Sequence, residues 1–206
     1  MPKIKNIVSG QFETNCWLVY DDITKAAVII DPGQDGQIVI DTIKNLALQP
    51  ELLINTHGHF DHILSDDIIR KKYNIPLAIH KNDIPFLSDV NKNASYLIGK
   101  PTVINNPEII FENEQNYKTS FCGYSLINTP GHTPGSVCIL IENDLFSGDT
   151  LFAGSIGRTD FPDSSVSEMK KSLQKIKQLD KKINVYPGHG CSTNIEKELS
   201  SNFYLR

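Results

Sequence analysis

Residues 56–62 read Thr-His-Gly-His-Phe-Asp-His, and this run limits what the chain can fold into more than any other. His57, His59, Asp61 and His62 put four imidazole or carboxylate donors within six positions. Such nitrogen and oxygen donors suit zinc and neighbouring first-row metals. The preceding residues 51–55 (ELLIN) read as a buried strand. The following residues 63–73 read as a helix with Leu64, Ile68 and Ile69 turned inward. The cluster therefore falls on a strand-to-helix turn, where backbone held by a rigid scaffold aims side chains into one cleft. That arrangement predicts a metalloenzyme.

The rest of the chain supplies the scaffold. Residues 4–8, 16–20 and 26–30 are apolar and partly β-branched between turn residues, which predicts strands. Asp31-Pro32-Gly33 breaks the third of them. Residues 38–48 place Ile40, Ile43 and Ala47 at helical spacing. A strand is predicted at 76–80, followed by short helical pieces over 81–99. Further strands are predicted at 108–111, 123–128, 137–141, 145–147 and 183–186, with 137–141 and 145–147 paired across Glu142-Asn143-Asp144. Ser165-Val166-Ser167-Glu168 fits a capping box. It opens a helix to about Leu179 with Val166, Met169, Leu173 and Ile176 on its apolar face. Residues 193–196, from Thr193 to Glu196, are expected to cap a short last helix. No repeat or Ser/Gly linker separates the two strand-rich halves. They are expected to form two packed sheets covered by helices in one domain, residues 1–206.

Composition narrows the function classes. With 39% hydrophobic and 21% charged residues, the chain can bury a sizeable core as a globular protein. Its net charge of −4 gives no basic footprint, so neither nucleic acid nor a membrane surface is an expected partner. No stretch approaches the roughly 20 apolar residues that span a bilayer, and the N-terminus has no signal-peptide core. Cys16, Cys122, Cys138 and Cys191 are far apart with no C-x-x-C pair. Free thiols in a reducing cytoplasm are the expectation.

Three later turns add donors, each after an apolar strand: Pro130-Gly131-His132-Thr133-Pro134-Gly135, Ser147-Gly148-Asp149-Thr150 and Tyr186-Pro187-Gly188-His189-Gly190. With the first cluster they make five histidines and two aspartates, enough for two metals with positions left for water and substrate. His80 lacks such a turn and is read as outside the site. A structural zinc site closes with four ligands, often thiolates, so this donor set disfavours a non-enzymatic metal-binding module.

The ordered set resembles the metallo-β-lactamase fold superfamily over essentially the whole chain. The stretch Gly148-Asp149-Thr150-Leu151-Phe152-Ala153-Gly154-Ser155-Ile156-Gly157-Arg158-Thr159-Asp160-Phe161 is similar to the short glyoxalase II-like hydrolases. The resemblance implies an α+β fold, an αββα sandwich of two mixed β-sheets flanked by helices. It implies one metal on His57, His59 and His132, a second on Asp61, His62 and His189, and Asp149 bridging them. Asp61 and Asp149 are the implied catalytic carboxylates, and Asp31 supports the ligand loop from behind. Two divalent ions are expected, zinc foremost, with iron or manganese also accepted by such donors. A water on such ions falls to a pKa of roughly 7, which makes a metal-bridging hydroxide the expected nucleophile. The expected substrate is a small-molecule thioester or ester such as S-D-lactoylglutathione.

Arg158 matches a basic position on the glutathione side of related enzymes; the alternative is a salt bridge with Asp160 or Asp163. Full-length glyoxalase II also has a C-terminal helical region and a Tyr after the last His, where this chain has Gly190-Cys191-Ser192. These departures bear on glutathione recognition and leave the hydrolytic donor set whole. Iron-dependent persulfide dioxygenases and lactonases remain alternatives. β-Lactamases of the fold lack an Asp at the bridging position, so Asp149 weighs against antibiotic hydrolysis.

Overall fold

Strands that are apolar at every position must be covered on both faces. In the computed structural model, which describes residues 1–206, six strands bond in chain order into one sheet. They are β1 (Lys3–Ser9), β2 (Thr14–Tyr20), β3 (Ala26–Ile30), β4 (Gln49–Ile54), β5 (Leu77–His80) and β6 (Ile109–Phe111). β1 to β3 pair antiparallel, and β3 to β6 pair parallel. Parallel neighbours need crossovers. α1 (Gly36–Asn45) joins β3 to β4, while α2 (Phe60–Ile63) and α3 (Asp66–Tyr73) join β4 to β5. α4 (Ile84–Ser88) lies between β5 and β6.

The second sheet contains β7 (Asn116–Lys118), β8 (Gly123–Asn128), β9 (Val137–Ile141) and β10 (Asp144–Gly148). After them, β11 (Leu151–Phe152) and β12 (Ser155–Ile156) make a separate hairpin, and α5 (Val166–Ile176) follows. β13 (Asn184–Pro187) and β14 (Thr193–Asn194) complete the sheet, and α6 (Ile195–Ser201) follows. The order is β14-β13-β10-β9-β8-β7, with β10 and β13 parallel. Both sheets are therefore mixed.

The period of two along a strand assigns each side chain to a layer. In β2, Cys16 and Leu18 face α1 and α3, while Trp17 and Val19 face the other sheet. Ala27 and Ile29 of β3 follow the first pair, and Val28 and Ile30 the second. In the second sheet Val137, Ile139 and Phe146 meet the inter-sheet core, while Cys138 and Leu145 meet α5 and α6. Three apolar layers thus separate helix, sheet, sheet and helix, the αββα sandwich. Each fully buried Leu or Ile contributes about 2 kcal/mol.

Several expected elements shift. The helix predicted over 63–73 splits into α2 and α3, with Ser65 as the N-cap of α3. Asp66 and Ile69, three apart, now face the sheet, whereas Ile68 is 52% exposed. Ala47 lies beyond α1, exposed, with φ +54° as the chain turns into β4. Ser165 caps α5 through the Glu168 amide at 3.3 Å, but the Glu168 carboxylate takes Lys171 instead of closing the box. Val166, on the first turn, is exposed, and α5 ends at Ile176. The last helix is capped by Asn194, not Thr193, whose hydroxyl bonds Glu198.

Candidate metal centre

The parallel strands β3, β4 and β5 end along one edge of the first sheet, and functional groups of parallel sheets collect at such carboxyl ends. Asp31 follows β3, Thr56 and His57 follow β4, and α2 carries Asp61 and His62. The second sheet contributes His132 from the loop between β8 and β9, Asp149 after β10 and His189 after β13. Close approach of the two edges requires glycine. A Cβ on Gly188 would collide with the Asp149 carboxylate and the His62 ring. Gly148, at φ +48°, lies against Thr56.

The structure brings together all seven donors named from the sequence. His57, His59 and His132 converge, their donor atoms within 4.8 Å of one another, and so do Asp61, His62 and His189. Asp149 lies between the triads, with Oδ2 3.5 Å from His132 Nε2 and 3.6 Å from His189 Nε2, and Oδ1 3.5 Å from His62 Nε2. A third grouping, Asp31 with His57 and His62, is of another kind. Asp31 Oδ2 lies 3.0 Å from His62 Nδ1, the ring nitrogen turned away from the cluster. It is an orienting contact.

Four of the five imidazoles are held this way from behind. Asp31 accepts from His62 Nδ1, and the Arg158 carbonyl from His132 Nδ1 at 2.9 Å. The Phe12 carbonyl accepts from His189 Nδ1 at 3.0 Å. The Thr56 hydroxyl donates to Asp31 at 2.6 Å and so accepts from His57 Nδ1 at 3.1 Å. Each bond places the proton on Nδ1 and turns the Nε2 lone pair inward.

The inward nitrogens crowd against one another and against carboxylates, an arrangement that a cation between them satisfies. His59 Nδ1 faces His132 Nε2 at 2.8 Å, and His62 Nε2 faces His189 Nε2 at 3.3 Å. His57 Nε2 and Asp149 Oδ1 are buried without any hydrogen-bond partner. Burial, then the neighbouring imidazoles, holds His57 and His59 well below the ordinary histidine value, hence neutral. Burial opposes charge on His62 as well, yet Asp61, Asp149 and Asp31 push it up to about 10. Burial would raise Asp61, but His62 and His189 hold it far below the usual carboxylate range. Carboxylates this buried need a positive charge beside them. The orphaned atoms and the five imidazoles fit a pair of metal ions.

Three supporting residues were not anticipated. Thr14 Oγ1 donates to Asp61 Oδ2 at 3.1 Å. Asp83, fully buried after β5, accepts from the Gly58 and Gly135 amides at 2.8 and 2.7 Å and from the Thr133 hydroxyl at 2.7 Å. It ties the loop of His57 and His59 to the loop of His132. An acid just past a buried parallel strand, as at Asp31, was the available signal. Glu198, also buried, accepts from the Gly154 amide, Thr193 and Asn202, anchoring the β11–β12 hairpin. His80, the last residue of β5, is buried and lies outside the cluster. The Arg158 side chain lies at the cavity mouth, paired through Nε and Nη2 with Asp160 at 2.7 Å each.

Comparison with known proteins places this geometry in a family. The model of the Metallo-beta-lactamase superfamily matches residues 9–189. The chain belongs to the metallo-beta-lactamase superfamily. It is 33% identical to hydroxyacylglutathione hydrolase GloC of Haemophilus influenzae, over 94% of this chain and 93% of that one. It is 32% identical to a Bacillus subtilis protein named "Probable metallo-hydrolase YqgX", over 98% and 97%. Among solved structures, the BLEG-1 B3 metallo-beta-lactamase superposes with a TM-score of 0.95 at 36% identity, covering 98% of this chain and 99% of that one. A second, solved in a di-iron-bound form, gives 0.84 at 26% identity, covering 98% and 100%. The named metallo-hydrolase relatives support a metal-dependent hydrolase.

Proposed function

We propose that the protein is a dinuclear metal-dependent thioesterase that hydrolyses a small-molecule acyl thioester to a carboxylic acid and a thiol. The observation that carries this reading is Asp149, whose two oxygens face both triads while Oδ1 has no hydrogen-bond partner within the protein. His57, His59 and His132 would hold one ion, Asp61, His62 and His189 the other, and Asp149 both. Zinc is the proposed metal, with iron or manganese compatible with the same donors. When bound, such ions polarise a carbonyl oxygen and bring the pKa of water to roughly 7. The chain's part is positioning. Asp31, Thr56 and the carbonyls of Phe12 and Arg158 hold the imidazoles in one tautomer, and Thr14 fixes Asp61. The 33% identity to GloC supports the choice of thioester, since that relative is named a hydroxyacylglutathione hydrolase.

A second reading, β-lactam hydrolysis, is favoured by the 36% identity to the BLEG-1 lactamase. Asp149 at the bridging position weighs against it. Purified metal-loaded protein assayed with S-D-lactoylglutathione, a panel of other thioesters and a chromogenic cephalosporin separates the two. Thioester turnover abolished by chelator and restored by zinc is the expected result. Cephalosporin turnover without thioester turnover would replace the first reading by the second.

A further inference from the structure

Charge and apolarity divide sharply around the cavity over the cluster, which measures about 370 Å³. The floor is the polar donor set. The walls are Phe12, Phe60, Leu97, Phe152, Ile156 and Phe161. Two of these rings rest against the imidazoles themselves. The Phe161 centroid lies 5.0 Å from that of His59 and 6.1 Å from that of His132, and Phe152 lies 6.1 Å from His189. An apolar surface therefore starts within about one ring width of the reacting position, on the side of either triad. Phe12 and Leu97 continue it to the mouth, 40% and 54% exposed. Large apolar groups left wet around a concave site mark a binding surface.

Cations are scarce on the same walls. Arg158 is the one basic side chain that lines the cavity beyond the histidines. Asp160 occupies its fork through two 2.7 Å bonds, and its face lies 4.2 Å from the Phe161 centroid. Its charge is already paired and its plane already stacked. A glutathionyl arm carries two carboxylates, and the single cation on this lining is already shared with Asp160. A flat uncharged arm, in contrast, finds walls on both sides.

We propose that the cavity selects substrates whose carbonyl bears an uncharged apolar arm, aromatic in preference to short aliphatic, over glutathione conjugates. This rests on the hydrolase reading above and narrows its substrate class. The chemistry is unchanged: the C–S bond breaks, water supplies the oxygen of the new C–O bond and the proton of the thiol, and nothing is oxidised or reduced.

The test compares three thioesters on the metal-loaded full chain: phenylacetyl- and acetyl-N-acetylcysteamine, which share one neutral thiol, and S-D-lactoylglutathione. Burial of the ring predicts kcat/KM about tenfold or more higher for phenylacetyl than for acetyl. The lactoylglutathione value should also lie below that of the phenylacetyl thioester. Leu97→Asn, a change at an exposed wall position, should lower the phenylacetyl-to-acetyl ratio several-fold. Titration of the same protein with phenylacetate and acetate gives a readout independent of turnover, and phenylacetate should bind more tightly. Turnover of all three with no aromatic preference, or with lactoylglutathione fastest, overturns the inference and leaves the hydrolase reading intact. Absence of turnover with tighter phenylacetate binding overturns the thioesterase reading and supports the apolar wall.

Discussion

Asp149 and Asp83 show how much a single carboxylate does here. Asp149 is the only donor that faces both triads, so its removal should affect both ions unequally. Asp149→Ala is expected to lose the second metal and at least about 100-fold in turnover. Elemental analysis alongside the rate checks this, and two retained metals with near-normal turnover would sink the assignment. Asp83 touches no metal donor directly but joins the loops that carry three of them. Burial pushes its carboxyl up to about 6, against three hydrogen bonds that favour the charged form. An acid raised on folding keeps its proton longer in the folded state. The stability linked to it is complete below about pH 4 and is lost as pH rises through 6. Asp83→Asn does not titrate, so wild type should lose roughly 3 kcal/mol relative to the variant across that window. Urea unfolding of both proteins in chelator, at several pH values, measures the difference. A flat difference would show that Asp83 stays ionised throughout.

Turns and short elements decide which side chains reach the cavity. The β11–β12 hairpin supplies Phe152, Ser155 and Ile156 to its wall, yet it is only two residues per strand and belongs to neither large sheet. What holds it is α6. Glu198 receives the Gly154 amide at 2.7 Å, and Asn202 donates to the Ser155 carbonyl at 3.0 Å. Glu198→Ala removes the acceptor of the Gly154 amide and of the buried Thr193 hydroxyl and Asn202 amide, and should cost about 2–4 kcal/mol. Hydrogen exchange should rise first over residues 151–156, and protection there equal to wild type would contradict the anchoring role. Strand ends were legible because an apolar run followed by Gly and a donor repeats four times. The split between α2 and α3 was not. Its cause is the need for Asp61 and His62 to face one cluster while Asp66 and Ile69 face the sheet, and spacing alone reads through that break.

The two sheets meet over one apolar layer, and their edges close around charges that the layer cannot neutralise. Chelation should therefore destabilise the fold as well as stop turnover. A ligand held at about 1,000 times its dissociation constant adds about 4 kcal/mol. For a chain of this size its loss corresponds to a melting temperature lower by about 10 °C. Thermal unfolding with and without chelator, then with zinc or iron(II) returned, measures it; an unchanged midpoint would mean the carboxylates are neutralised within the protein. The sequence by itself determined the donor types, their position after apolar strands and the alternation that parts each strand's side chains into two sets. Those properties are local: period two, Gly-rich turns and imidazole chemistry act over a few residues. Only the tertiary structure decided that the Arg158 carbonyl stands behind His132, that the Phe12 carbonyl stands behind His189, and that Asp83 joins two loops. Such partners lie far apart along the chain, and pairing is set by how two sheet edges pack, which no local pattern encodes.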